Sequence, residues 1–139
     1  MNNVRVTKML GAALATAALS FAVSACGSEN SADKFSGEKK EVAQAVEDFV
    51  SAVENEESKK LCTELIGGSL KSLFNSAGTD NCIKAFDQAA KGQNFEDLNV
   101  EEVTINGTTA TVKTKSKSEN LTLELTKEQG KWKVSSLPQ

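Results

Sequence analysis

The chain changes its hydrophobic period once, close to residue 93. Before this point, apolar residues recur every three or four positions, as they do on one face of a helix. After it, apolar and polar residues alternate, as they do in a half-buried strand. The pattern predicts an α+β domain in which N-terminal helices pack on a curved antiparallel sheet of about four strands.

The helical half contains three predicted helices and, between the second and the third, a short turn; each has its apolar residues on one side. Ser36 is the expected N-cap of the first helix, and Asn55 that of the second, which would end at Gly67-Gly68. Ser69 starts the short turn, and Thr79 opens the last helix. The apolar positions, in chain order, are Val42, Val46, Phe49, Val50 and Val53; Leu61, Cys62, Leu65 and Ile66; Leu70, Leu73 and Phe74; Cys82, Ile83, Phe86, Ala89 and Ala90.

The strand half begins with a predicted hairpin at Asn106-Gly107, the strongest short hairpin signal in the chain. A two-residue loop there would pair Ile105 with Thr108 and keep the aliphatic residues of both strands on one face. The apolar alternation changes phase just before this hairpin, which predicts a bulge near Glu101-Glu102.

Two further turns, the last at 128–131, join two more strands. Pairing Lys127 with Trp132 places Leu125 opposite Val134, so the apolar residues again share a face. Three connections with agreeing faces predict an antiparallel meander covered by the helices on its apolar side.

The first 25 residues have the order of a secretory signal. Arg5 and Lys8 form a short basic head, and an uncharged apolar run follows over 9–23. The segment Val23-Ser24-Ala25-Cys26 resembles the lipobox of bacterial lipoproteins. That resemblance implies cleavage before Cys26, a diacylglyceryl group on its thiol, and an anchor on the outer side of the cytoplasmic membrane. The alternative is an ordinary cleaved signal with an incidental cysteine.

Three segments are expected: a removed signal peptide at 1–25, a lipidated cysteine with a flexible tether at 26–37, and one α+β domain at 38–139. After cleavage, 14 basic and 19 acidic residues remain, a formal net charge of 14 − 19 = −5. This charge argues against nucleic acid as a partner, because nucleic acids are bound through clusters of Lys and Arg. The chain has no His, which excludes most zinc sites and simple hydrolase schemes.

Cys62 and Cys82 are the only cysteines of the domain, and both lie on predicted apolar faces. Disulfides persist in exported proteins, so we expect a structural bond between them. A redox pair is the alternative, although it usually has the Cys-x-x-Cys spacing. A metal site would need carboxylates to complete its shell, and we expect neither a metal nor a cofactor.

The order of elements resembles the nuclear transport factor 2-like superfamily, in particular its small lumazine-binding-like lipoproteins of unknown function. The residues that carry this resemblance are Asn106-Gly107, Ala110 to Val112, Leu121 to Leu125, and the closing Gly130-Lys131-Trp132-Lys133-Val134. The resemblance implies a cone, in which a bent sheet wraps round the helices and an apolar pocket opens at one end. The residues expected to line such a pocket are Phe49, Phe86, Thr114, Ser116, Leu123 and Trp132.

Enzymes of this superfamily place an Asp or a His in the pocket. No motif carries such a role over to Asp80, Asp87 or Asp97, so no catalytic residue is expected. We therefore expect a non-catalytic envelope lipoprotein that binds a partner protein or a small apolar ligand, as a monomer or a homodimer. The alternatives are an isomerase- or cyclase-like enzyme with a pocket carboxylate, and an inhibitor or accessory subunit of an envelope enzyme.

A stripe of Thr and Lys side chains is expected on the outer face of the sheet. It comprises Thr109, Thr111, Lys113, Lys115 and Lys117, interspersed with Glu102 and Glu124. Such a stripe either binds an anion or is a solvated face that resists edge-to-edge pairing.

Overall fold

Helices precede a four-strand meander, as the change of period predicts. The computed structural model describes residues 30–76, 79–91, 95, 97–117 and 119–137. The helical elements are a 3₁₀ turn (Ser31–Lys34), α1 (Glu38–Glu54), α2 (Ser58–Lys60) followed by a π-helical turn (Leu61–Leu65), α3 (Gly68–Asn75) and α4 (Thr79–Ala89). The strands are β1 (Asn99–Asn106), β2 (Thr109–Lys115), β3 (Asn120–Glu128) and β4 (Lys131–Ser136). The prediction of an α+β fold with a four-strand sheet is confirmed.

The sheet is open and antiparallel, with strand order β1-β2-β3-β4. Its first hairpin has a different register from the predicted one, because Ile105 lies opposite Ala110 and Gly107-Thr108 forms the loop. Gly107 has φ +63°, whereas Asn106 and Thr108 have negative φ. A loop with positive φ only at its first residue needs glycine there, so Gly107 rather than Asn106 begins the turn. The shift is two residues, and the apolar face is therefore unchanged.

The two other register predictions in the sheet are confirmed. A bulge interrupts the β1–β2 pairing between Val100 and Glu102. In the last hairpin, Lys127 lies opposite Trp132, and Leu125 lies opposite Val134. The inward side chains of all four strands pack against the helices in one core, whose largest fully buried members are Leu61, Ile66, Leu125, Val42, Val46, Val100, Val112 and Val134.

The predicted helix caps are wrong. Gly37, with φ +59°, precedes α1 in the position expected for Ser36, and no side chain caps this end. Asn55 follows α1, where its side-chain amide donates a hydrogen bond of 2.8 Å to the Ser51 carbonyl. Glu56 then takes a positive φ of 56°, which breaks the helical path before α2 begins at Ser58.

The second predicted helix ends earlier than its apolar pattern suggests. Ile66 is extended rather than helical and forms an isolated parallel bridge with Val134 of β4. Two residues that were predicted to lie on buried apolar faces do not, because Leu73 is 72% exposed and Ala89 is exposed as well. Among the α3 residues whose side chains are described, Leu70 is buried and belongs to the core.

The folded domain begins before residue 38, inside the stretch expected to be a flexible tether. Ser31 and Ala32 are buried in the 3₁₀ turn. The Ser31 hydroxyl accepts a hydrogen bond of 3.0 Å from the Val100 amide of β1. Part of the stretch predicted to be a tether is therefore folded. The predicted signal peptide and Cys26 lie outside the described residues.

Cys62 and Cys82 lie at disulfide distance, with 2.01 Å between their sulfur atoms. Both are buried, one in the π-helical turn and the other in α4. The prediction that these two cysteines pair is confirmed, because their sulfur atoms lie at the distance of a disulfide bond.

Candidate functional site

Most of the residues predicted to line a pocket belong to the core. Phe49, Phe86 and Leu123 are buried, and the two phenylalanine rings meet edge to face with 6.5 Å between their centroids. Thr114 is buried, whereas Ser116 is half-buried. Trp132 differs from the others, because it lies at the edge of the core and borders a surface groove.

The two inward polar residues of β2 and its following loop have hydrogen-bond partners. The Thr114 hydroxyl donates to the Leu121 carbonyl at 3.2 Å. The Ser116 hydroxyl donates to the Glu119 carbonyl at 2.9 Å and accepts from the Glu119 amide at 3.1 Å. Inward polar groups indicate a wet cavity only when they lack partners, and these two do not lack them.

The groove beside Trp132, which we call the β4 groove, has a volume of about 620 Å³. This volume is in the range of sites that hold small ligands or short segments of chain. Three walls enclose the groove: one flank of α1, the α2–π segment, and the β3–β4 hairpin. Its lining residues are Glu41, Gln44, Ala45, Asp48, Lys60, Thr63, Glu64, Leu65, Glu128, Gln129, Gly130, Lys131, Trp132 and Lys133.

The β4 groove arises where two segments of the chain separate. At the bridge between Ile66 and Val134 the segments are paired, and the Gly67 amide donates to the Val134 carbonyl at 2.9 Å. Toward the N-terminus of both segments, the π-helical turn leaves the sheet and the space between it and Trp132 opens. Glu128 holds the hairpin in place, because its carboxylate accepts a 2.6 Å hydrogen bond from the Gly68 amide.

A lysine ammonium group lies over the Trp132 ring, and the indole nitrogen has no hydrogen-bond partner among the described groups. The residue is only 6% exposed, and its Nε1 is buried without a partner among the described groups. Lys127 places its Nζ 5.5 Å from the centre of the ring, a cation–π geometry. The Glu38 carboxylate accepts a hydrogen bond from Lys127 and raises the pKa of that ammonium group.

The charges of the β4 groove are unevenly paired. Lys60 and Lys133 form ion pairs with Glu57 and Glu128, at 3.2 and 3.9 Å. The other charged lining residues form no ion pair within the described part of the chain; they are Glu41, Asp48, Glu64 and Lys131. The walls formed by α1 and the π-helical turn are therefore predominantly acidic.

A second groove, of about 540 Å³, lies on the opposite flank of α1 beside β1. The Glu47 carboxylate stands in its wall and holds the N-terminal turn. Its Oε1 accepts hydrogen bonds of 2.8 Å from the Ser31 hydroxyl and from the Ala32 amide. Its Oε2 is buried without a partner among the described groups. This groove is thus partly occupied by the chain that leads to the N-terminus.

Replacing Glu47 with alanine should release the N-terminal turn while leaving the rest of the domain folded. Hydrogen bonds to a charged group are worth about 1.5–3 kcal/mol each, so hydrogen exchange at the Ala32 and Phe35 amides should rise at least tenfold. Glu54→Ala is the matched control, since Glu54 is an exposed glutamate in the wall of the same groove. Equal exchange in both variants would contradict this role for Glu47.

The lysine stripe on the outer face of the sheet is partly neutralised. Lys113 pairs with Glu102 at 2.8 Å, and Lys117 pairs with Asp97. The hydrogen bond from Lys113 lowers the pKa of the Glu102 carboxyl. These ion pairs favour a solvated face over an anion site.

No family model matches this chain, and the searches found neither a curated protein nor a solved structure similar to it. Within the described residues, no helix has the length and apolar character needed to cross a membrane. The described side chains also do not bring three or more metal-ligating groups together.

The sequence predicts Trp132 as a lining residue but does not identify the walls around it. Glu41 and Asp48 lie on an ordinary charged helix face, and Glu64 lies in a segment expected to be regular helix. Only their assembly around Trp132 distinguishes them from other solvated residues. A useful local signal is the single Trp between two lysines directly after a tight turn.

Proposed function

We propose that this protein is a non-catalytic lipoprotein of the bacterial cell envelope whose domain binds a partner protein in the β4 groove. The observation that carries the proposal is Trp132, a nearly buried aromatic residue in the wall of a groove of about 620 Å³ that also contains acidic and basic side chains. Aromatic residues in such positions contribute most to binding at protein interfaces. The lipobox resemblance at Cys26 supports the membrane anchor.

A binding role is favoured over catalysis by the setting of the groove carboxylates. Glu41, Asp48 and Glu64 are exposed to solvent. An isomerase- or cyclase-like mechanism needs a carboxyl group whose pKa is raised by a dry pocket, and exposed carboxylates do not have this setting. The absence of His from the chain removes the commonest alternative base.

A protein partner is favoured over a small apolar ligand inside the sheet. The residues expected to line an internal pocket pack in the core or have hydrogen-bond partners, as Thr114 does. An inhibitor or accessory subunit of an envelope enzyme would be one form of this function. We extend the proposal to the finer fold as well: helices followed by a four-strand meander support a nuclear transport factor 2-like cone.

Site-specific photocross-linking in intact cells tests the function. A photoreactive phenylalanine analogue in place of Gln44, an exposed residue of the groove wall, should give a discrete adduct with one envelope protein. The same analogue in place of Gln88 on α4 is the matched control, because Gln88 is exposed and is not among the groove residues.

The adduct must depend on the groove itself. Ala45→Trp fills the groove, and Lys131→Glu changes the charge of its rim. At least one of these variants should remove the Gln44 adduct in a protein with unchanged thermal unfolding. Adducts of equal yield at both positions, or an adduct that persists in both variants, would refute binding in the β4 groove.

A further inference from the structure

We infer that the partner enters the β4 groove as an extended basic segment that pairs with the outer edge of β4 at Trp132. The inference rests on the proposed function and specifies the chemistry of the partner. It joins two observations: the unpaired polar groups of one nearly buried residue, and the unpaired acidic side chains around it.

The backbone of Trp132 is directed into the groove. In an antiparallel ladder, residues alternate between those whose N–H and C=O point toward one neighbouring strand and those whose groups point away from it. The Val134 carbonyl points away from β3, because it accepts the hydrogen bond from the Gly67 amide. Trp132 lies two residues earlier, so its N–H and C=O point to the same side.

The position next to β4 is occupied beside Val134 and open beside Trp132. Ile66 forms the parallel bridge at Val134, after which the two segments separate toward the N-terminus. No described residue bonds to the outward N–H and C=O of Trp132. A strand added in the groove would extend, along the edge of β4, the pairing that Ile66 makes with Val134. This mode of binding is β-augmentation.

Trp132 requires both a donor and an acceptor from its partner. Its outward backbone N–H is a donor, and its outward C=O is an acceptor. Polar groups shielded from water without a partner are costly, and this residue is only 6% exposed. A simple anion offers acceptors alone, whereas the backbone of an extended peptide offers both groups. The polar groups of Trp132 therefore favour a peptide strand.

The charges favour a basic peptide. Three carboxylates, those of Glu41, Asp48 and Glu64, form no ion pair within the described residues, against one unpaired ammonium group, that of Lys131. The unpaired groups of the groove therefore carry a net charge of 1 − 3 = −2. Lys or Arg side chains on the incoming strand would compensate these carboxylates. Exposed pairs of this kind contribute about 0.2–1 kcal/mol each, so they determine selectivity more than affinity.

A second copy of this chain is disfavoured as the occupant. A two-fold dimer brings the same surface of each copy together. The acidic walls of the two grooves, with Glu41, Asp48 and Glu64 in each, would then face one another. Like charges in contact are unfavourable, and a basic strand from a different protein has no such conflict.

Trp132 supplies its own test, because it is the only Trp and the chain contains no Tyr. The full lipidated protein in detergent micelles should show one indole resonance and a tryptophan fluorescence signal from this residue alone. The probe is the peptide acetyl-Val-Lys-Val-Lys-Val-amide. Its controls are the same peptide with Glu in place of Lys, and the Lys peptide with every backbone nitrogen methylated.

The Lys peptide should shift the indole resonance and bind at least tenfold more tightly than the Glu peptide. The methylated peptide should bind at least tenfold more weakly than its parent, because it cannot donate backbone hydrogen bonds. The double variant Glu41→Gln/Glu64→Gln should lose the preference for Lys over Glu and keep the sensitivity to methylation.

Four results would overturn the inference: no shift at millimolar Lys peptide, equal binding of the Lys and Glu peptides, binding that is insensitive to methylation, or self-association that the peptide does not disrupt. If the Gln44 adduct forms in cells while the peptide fails to bind, the proposed function remains and only this binding mode is refuted. If both fail, the β4 groove is not a binding site.

Discussion

Replacing Phe86 with alanine should lower the free energy of unfolding by about 3–5 kcal/mol, the usual cost of removing a buried aromatic ring. Phe86 is 5% exposed and joins two helices to α4. Its ring lies 6.5 Å from that of Phe49 in α1 and 5.3 Å from that of Phe74 in α3, measured between centroids. The helical half has no other described cluster of three aromatic rings, so the cavity would affect all of its contacts.

Urea unfolding followed by far-ultraviolet circular dichroism measures this loss. The control is Leu73→Ala, which removes a large apolar side chain from the neighbouring helix α3. Leu73 is 72% exposed, and its replacement should change the free energy of unfolding by no more than about 0.5 kcal/mol. A Phe86→Ala variant as stable as the Leu73→Ala variant would show that the aromatic cluster does not hold the helices together.

Removing the bond between Cys62 and Cys82 should lower the free energy of unfolding by about 3 kcal/mol in the chain-entropy model. The two residues are 20 positions apart in sequence. A cross-link over this distance restricts the unfolded chain, and its loss increases the entropy of the unfolded state. The double variant Cys62→Ala/Cys82→Ala, measured by urea unfolding beside the oxidised wild type, gives the value.

Reduction of the wild-type protein by dithiothreitol is the second measurement. It should reproduce the loss seen in the double variant, with a mass increase of two hydrogens. Because both sulfurs are buried, reduction of the folded protein should be slow and should follow unfolding. Rapid reduction under native conditions would instead favour the redox-pair alternative, and equal stability before and after reduction would exclude a structural role.

The strand half was the more predictable part of the fold, for a physical reason. Period-two alternation specifies which face each strand buries, and the tight turns restrict the register to a few choices. The pairing of Lys127 with Trp132 was therefore correct. The first hairpin could have its two-residue loop at Asn106-Gly107 or one residue later. The two registers differ by two residues and bury the same face, so the alternation of the strands does not distinguish them. The conformation of Gly107 decides between them.

The ends of the helices were less predictable, because distant contacts determine them. Ile66 has the spacing of a helical residue but pairs with Val134, which lies 68 positions later. Nothing in the local sequence around Ile66 shows that this strand edge is available. Leu73 likewise has helical spacing, yet the core ends at Leu70.

The candidate site was the least predictable feature. A search for pocket residues by apolar character selects residues such as Phe49 and Leu123, which pack in the core because they are apolar. The β4 groove is instead formed by charged and uncharged residues of three separate elements around Trp132. The sequence does not specify how these elements lie relative to one another, so it cannot show that Glu41 and Glu64 share a wall.

Because Glu47 holds the N-terminal turn, few residues lie between the folded domain and the proposed lipid anchor at Cys26. With Cys26 as the proposed lipid anchor, only five residue steps separate the bilayer from Ser31, the first buried residue of the turn. A chain of this length reaches at most about 17 Å when fully extended. Under the proposed anchoring, the domain would sample only a thin layer above the lipid headgroups. A partner would have to come to the membrane surface to be bound, and a partner anchored there would meet this protein by diffusion in two dimensions.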